Sequence, residues 1–177
     1  MSMDVEIRSA RIADIPAVAQ VHLDSSKIAY RGILDQDLLN ALSLSGRIAL
    51  WEARYANTGP QGRLWILSRV SNIVGFALCD AVDDQGAPPA ACELKSFYIT
   101  PNCWGAGLGS RLIAHVVNDF KDRGFESMLL WTIRENARAR AIYERLGFCF
   151  DGSSRHTRRE EAGQILAYEE VRYARLL

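Results

Sequence analysis

The sequence predicts an α/β fold occupying residues 1–177 as one domain, and three observations carry that expectation. A β-prone run over residues 93–100 stops at Pro101 and passes through a glycine-rich stretch into an amphipathic helical pattern. Strand-like runs and helix-like spacings alternate on both sides of it, as they do where sheet and helices share a core. No repeat, low-complexity tract or linker-like segment divides the chain, and its length is enough to bury roughly 70% of the surface its unfolded form exposes.

Residues 5–10 alternate as a first strand. Asp14-Ile15-Pro16 reads as a helix start, with the aspartate capping and proline in the first turn, and Ile15, Val18, Ala19 and His22 recur at helical spacing. Shorter helical pieces are expected around residues 38–42 and 47–55, before the turn cluster at 57–62. Residues 64–69 and 73–81 read as strands joined by a tight turn at Ser71-Asn72, and 83–89 as a loop. Behind the glycines, Gly109, Leu112, Ile113, Val116, Val117 and Phe120 form one apolar helix face that ends near Gly124. A strand over 128–132 follows, then a helix capped by Asn136 and ended by Gly147, with Ala139, Ile142, Tyr143 and Leu146 inward. Residues 148–150 and 166–174 read as closing strands around a charged loop at 155–161.

Charge and composition exclude several classes. Twenty-one basic and twenty-one acidic residues cancel, so no basic field exists for nonspecific binding to nucleic acid. No apolar run approaches the ~20 residues that span a bilayer, and the N-terminus has neither the basic flank nor the apolar core of a secretory signal. Cys79, Cys92, Cys103 and Cys149 form no C-x-x-C pair, and His22, His115 and His156 lie far apart. The expectation is therefore no metal site, reduced thiols and a cytoplasmic protein that binds neither nucleic acid nor membrane.

The chemistry is expected at Trp104-Gly105-Ala106-Gly107-Leu108-Gly109. A glycine-rich turn between strand and helix exposes backbone N–H groups at the positive end of a helix dipole, which suits phosphate oxygens. A Walker A loop would need Gly-Lys-Ser/Thr, and Gly109-Ser110-Arg111 does not supply it. A dinucleotide fingerprint spaces its glycines differently and expects an acidic residue at the end of the next strand. A pyrophosphate cradle for coenzyme A accommodates the rest of the pattern.

These residues resemble the GCN5-related N-acetyltransferases, whose pattern is Gln/Arg-x-x-Gly-x-Gly/Ala after an apolar strand, then an Asn and a Tyr ahead of Gly-Phe. Asn136, Tyr143 and Gly147-Phe148 fit, while Trp104 stands at the Gln/Arg position and removes a polar side chain beside the cofactor. The resemblance runs over nearly the whole chain. It implies a mixed, mostly antiparallel sheet flanked by helices, whose central strands, 93–100 and 127–132, splay to form a cleft. It also implies acetyl-coenzyme A as co-substrate. Its diphosphate would sit on Trp104, Gly105, Ala106, Gly107, Leu108, Gly109 and Ser110, with Asn136 alongside. Its pantetheine arm would pair with the edge at Phe97, Tyr98 and Ile99.

The resemblance further implies direct attack of an amine on the thioester, with no covalent enzyme intermediate. A backbone N–H of the strand at 93–100 would stabilise the oxyanion, and Tyr143 would protonate the departing sulfur. A phenol is protonated at neutral pH and can do this. Tyr143 also fits a buried stripe beside Ile142. Glu93, eleven residues before Trp104, matches the offset of the glutamate base in histone-modifying relatives, with a water chain as the alternative. A lysine-like amine needs such a base, being neutral only in roughly a few molecules per ten thousand at pH 7; an α-amine near pKa 8 needs less help.

The acceptor is expected to be a primary amine of a small molecule, or next to that a peptide N-terminus, bordered by residues 29–34 and the charged loop. A homodimer is compatible with the family. The rival reading is a non-catalytic coenzyme A-binding or interaction domain of the same fold.

Overall fold

The computed structural model describes residues 5–82 and 86–177. In chain order the elements are β1 (Val5–Ser9), α1 (Ile15–Ala29), α2 (Gln36–Ala41), α3 (Leu44–Ala56), β2 (Arg63–Arg69), β3 (Asn72–Ala81), β4 (Ala91–Ile99), α4 (Leu108–Asp122), β5 (Ser127–Ile133), α5 (Ala137–Arg145), β6 (Cys149–Glu161) and β7 (Gln164–Leu176). The strands form one seven-stranded sheet in the order β1-β2-β3-β4-β5-β7-β6. Every neighbouring pair is antiparallel except β4 with β5. A parallel pair needs a crossover, and α4 supplies it. The fold is thus the mixed, mostly antiparallel sheet flanked by helices. Part of the loop expected at 83–89 lies outside the described residues.

Helices cover both faces. On one, α4 buries Leu108, Leu112, Ile113, Val116, Val117 and Phe120 against Leu67, Ala77, Cys92, Leu94, Met128 and Leu130 of the sheet. On the other, Ile15, Val18, Ala19 and Val21 of α1 and Trp51 of α3 pack on Leu64, Ile66, Phe76 and Leu78. A buried Leu, Ile, Val or Phe contributes about 1.5–3 kcal/mol, so these two faces carry most of the stability.

A bulge re-aims the strand that matters most. Leu78 lies opposite Ser96 but the next residue, Cys79, lies opposite Leu94, which leaves Lys95 as the extra residue on β4. Such an insertion flips the inward-facing parity. Before it, Cys92 and Leu94 face α4; after it Phe97 and Ile99 do, which turns Ser96 and Tyr98 toward α1 and α3.

Three local expectations change. Asp14 precedes α1 without capping it, because its carboxylate is held by Arg8 at 2.8 and 2.9 Å and by the Arg11 amide at 2.7 Å. The β2–β3 turn sits one residue earlier, on Val70 and Ser71, both at positive φ. The charged segment at 155–161 is strand, part of a β6–β7 hairpin with thirteen residues in each arm. β6 is an edge strand of the sheet and most of its residues are exposed, so no apolar alternation marks it. Pairs such as Arg155 with Glu170 at 2.8 Å run along it instead.

Candidate active site

β4 and β5 pair only from Ala91–Ser127 to Glu93–Leu129. Beyond Glu93 they part, and Leu94 to Ile99 on one side and Trp131 to Ile133 on the other line a cavity of about 580 Å³. The splay leaves that edge of β4, beyond Glu93, without a strand partner among the described residues. The Thr100 amide bonds the Val74 carbonyl, so in the antiparallel alternation Tyr98 points its backbone groups at β3, and Phe97 and Ile99 point theirs into the gap. The Ile99 carbonyl is already engaged, accepting from Ser25 Oγ at 3.1 Å and Trp104 Nε1 at 2.6 Å. Of the three expected edge residues, Phe97 therefore offers a complete N–H and C=O pair, and Ile99 its N–H. Tyr98 faces the other end of the cavity, where its hydroxyl meets that of Tyr30 at 2.9 Å.

The glycine turn stands at the mouth of the gap. Gly105 and Gly107 have φ of 79° and 74°, the left-handed region that glycine tolerates, and no heavy atom lies within 4 Å of where a Cβ would sit on either. Gly107 ends the turn as the residue preceding α4, and the first helical bond runs from the Arg111 amide to its carbonyl at 3.1 Å. Among the described residues, the amides of 105–110 donate to no protein acceptor. Six consecutive N–H groups at a helix start, beside open space, fit a diphosphate.

Trp104 is fastened by its indole to Ile99, and the Arg138 guanidinium of α5 stacks over its ring at 3.7 Å. Arg138 lines the same cavity. A cation thus stands beside the turn although the motif's own polar position is tryptophan. Sequence reasoning missed it, because an exposed arginine on an amphipathic helix carries no signal of what it stacks on.

Asn136 caps α5 by accepting from the Ala139 amide at 3.0 Å and faces the cavity. Tyr143, two turns on, packs its ring near Phe148 and Tyr173, at centroid distances of 6.2 and 6.5 Å. Its hydroxyl makes no hydrogen bond to a described residue. Burial, and then the neighbouring Tyr98, push its pKa up, so the phenol keeps its proton at any physiological pH. Leu108, Gly109 and Ser110 also reach the cavity, whereas Ala106 is exposed beside it. Glu93 is not on the cavity wall; it stands where β4 and β5 still pair, between Asp80 and Leu129.

At the opposite end, Ala29, Tyr30 and Leu34 line the cavity, together with Arg159, Glu161, Tyr168 and Glu170 from the β6–β7 hairpin. His22 lies here with its Nδ1 accepting from Trp51 Nε1 at 2.9 Å, which places its proton on Nε2. Burial, reinforced by the charges of Arg47, Arg54 and Arg159, pushes its pKa down to about 2. Buried in the cavity wall at helical spacing with Ile15, Val18 and Ala19, it is a neutral imidazole oriented by the Trp51 indole. His115 packs edge-on against Trp65 at 4.4 Å.

A model of the acetyltransferase (GNAT) family matches residues 33–148. A "probable N-acetyltransferase" of Mycobacterium tuberculosis is 28% identical over 152 residues, covering 84% of this chain and 82% of that protein. The [ribosomal protein bS18]-alanine N-acetyltransferase of Haemophilus influenzae is 32% identical over 78 residues, 44% of this chain and 49% of that protein. Among solved structures, the PaiA N-acetyltransferase of Thermoplasma acidophilum in complex with coenzyme A superposes with a TM-score of 0.74 at 17% identity, covering 99% of this chain and 100% of that one. The chain belongs to the GNAT acetyltransferase family, enzymes that move an acetyl group from acetyl-coenzyme A to an amine.

Proposed function

We propose that the gap between β4 and β5 binds acetyl-coenzyme A with its diphosphate on the amides of 105–110 and its pantetheine amides on Phe97 and Ile99. The observation that carries this reading is the run of six amides that have no acceptor among the described residues, at the mouth of a strand edge that no described strand pairs. Arg138 adds a cation against the diphosphate, and Asn136 lies alongside.

Bound there, acetyl-coenzyme A supplies a thioester, and as the amine's C–N bond forms the C–S bond breaks. Edge amides of β4 donate to the carbonyl oxygen where negative charge collects. The Tyr143 hydroxyl gives its proton to the departing sulfur and is reprotonated from solvent; the amine's surplus proton leaves by water. Glu93 lies away from the cavity wall, so the water route serves better than direct contact with that carboxylate. An α-amine, neutral in roughly a tenth of molecules at pH 7, suits such a site better than a lysine side chain. The acceptor is a primary amine of a small molecule or of a peptide N-terminus; an alanine N-acetyltransferase acting on a ribosomal protein stands among the relatives.

Release of free thiol from acetyl-coenzyme A, measured for the natural chain and for Tyr143→Phe, tests this reading. Phe keeps the ring packing and removes only the hydroxyl, and with it the proton donor. Turnover should fall by about a hundredfold or more while affinity for acetyl-coenzyme A holds. Equal turnover would remove Tyr143 from the role.

A further inference from the structure

The end of the cavity remote from the glycine turn carries an excess of positive charge. Arg47 and Arg54 reach it from α3 and Arg159 from β6. Among the described residues one carboxylate answers them: Glu161 takes Arg47 Nη1 on one oxygen at 2.6 Å and Arg159 Nη2 on the other at 3.0 Å. The other carboxylate on this wall, Glu170, is engaged by Arg155 Nε at 2.8 Å and Thr157 Oγ1 at 2.6 Å. Arg54 lies 5.1 Å above the Trp51 ring and, among the described residues, donates only to the neutral Ser96 hydroxyl at 3.3 Å and has no carboxylate partner. His22 between them is neutral.

Two buried polar atoms on this wall also lack partners among the described residues, Arg47 Nε and Ser26 Oγ. The Arg47 side chain is 8% exposed and Ser26 1%. Arg47 is buried and Arg54 half-buried, while Arg159, 44% exposed, closes the cluster from the solvent side. Guanidinium charge drawn out of water in excess of its carboxylates is costly unless a further anion joins it. Arg54 itself has its pKa held below its ordinary value by burial first, with Arg159 and Arg47 acting in the same direction against the opposing pull of Tyr98 and Glu161. Such a cost persists where function uses it.

Resting on the transferase reading, we infer that the acceptor is a small primary amine that itself carries an anionic group, a carboxylate or a phosphate, and that Arg54, with the Arg47–Glu161–Arg159 cluster behind it, binds that group. Arg presents a planar fork that matches either anion. The walls from α1–α2, α3 and the hairpin enclose this end, which suits a compact molecule over a polypeptide. A polyamine or other cationic amine is repelled from it.

Thiol release with matched acceptors decides the point. The probes are L-alanine and L-leucine against their amides, 2-aminoethyl phosphate against ethanolamine, spermidine, and a neutral tetrapeptide amide beginning with alanine. Within at least one pair the anionic member should show about tenfold or greater kcat/KM over its neutral partner, and which pair does so separates carboxylate from phosphate. Arg54→Gln should abolish that discrimination by raising KM for the anionic amine, and Arg54→Lys should restore part of it. The melting temperature and acetyl-coenzyme A affinity of both variants check that they fold. Preference for the amides, ethanolamine, spermidine or the peptide overturns the inference and leaves the transferase reading standing. So does retention of the anionic preference in a folded Arg54→Gln protein. Saturable binding of acetyl-coenzyme A with no thiol release from any amine overturns both.

Discussion

Tyr143 shows how position separates two roles that one residue type can fill. Its ring belongs to the packing around Phe148 and Tyr173, as the apolar stripe on α5 suggests, while its hydroxyl has no described protein partner. Trp104 shows the reverse: a residue that departs from the family pattern is used as a platform, bonded to Ile99 beneath and stacked by Arg138 above. Arg138→Ala should therefore raise the KM for acetyl-coenzyme A by about three- to tenfold with kcat little changed, because the lost contact is made before and during reaction alike. Steady-state kinetics at saturating amine checks this.

His22 makes a stability prediction at the same scale. The folded chain keeps it neutral down to about pH 2, whereas the unfolded chain takes up its proton below about pH 6.5. The unfolded state then binds more protons, so this contribution is complete above pH 6.5 and declines as pH drops, by up to about 1.4 kcal/mol per unit. His22→Asn, which keeps an oxygen for the Trp51 indole, should be less stable at pH 7, with the gap to the natural chain narrowing at pH 6 and 5. Urea unfolding at the three values checks it; parallel profiles would contradict it.

Among the elements, α4 was the most legible and the β6–β7 hairpin the least. The six apolar positions on α4 repeat at helical spacing because one face is wholly buried, and the structure buries those that sequence reasoning named, from Leu112 to Phe120. Phe120, fully enclosed, should cost about 3–5 kcal/mol when changed to Ala, read as a shift in urea midpoint without change of slope. The hairpin hid because a solvent-facing edge strand needs no apolar period; cross-strand charge pairs such as Arg155 with Glu170 take its place, and they are invisible until the register is known. Lys95 illustrates a third limit. A single unpaired residue reverses which side chains of β4 face the cleft, and nothing in a run of eight β-prone residues announces it.

At the scale of the molecule, one parallel pair in an otherwise antiparallel sheet decides where function lies. β4 and β5 can close only over three residue pairs before they diverge, and the divergence exposes a strand edge at one end and sets the start of α4 at its mouth. The glycine turn and the strand before it were readable from the chain because each depends on local residues. The arginine cluster was not, since Arg47, Arg54 and Arg159 meet only when α3 and the hairpin fold against the same cavity. On the proposed reading the two ends of that cavity divide the work, one for the diphosphate and one for the acceptor.

The most direct measurement of the central claim is backbone amide hydrogen exchange at residues 105–110 with and without saturating coenzyme A. Free amides at the start of α4 should exchange rapidly in the unliganded protein and become strongly protected when the diphosphate binds, with pantetheine alone producing no such protection there. Unchanged exchange at these six amides in the saturated complex would contradict the account.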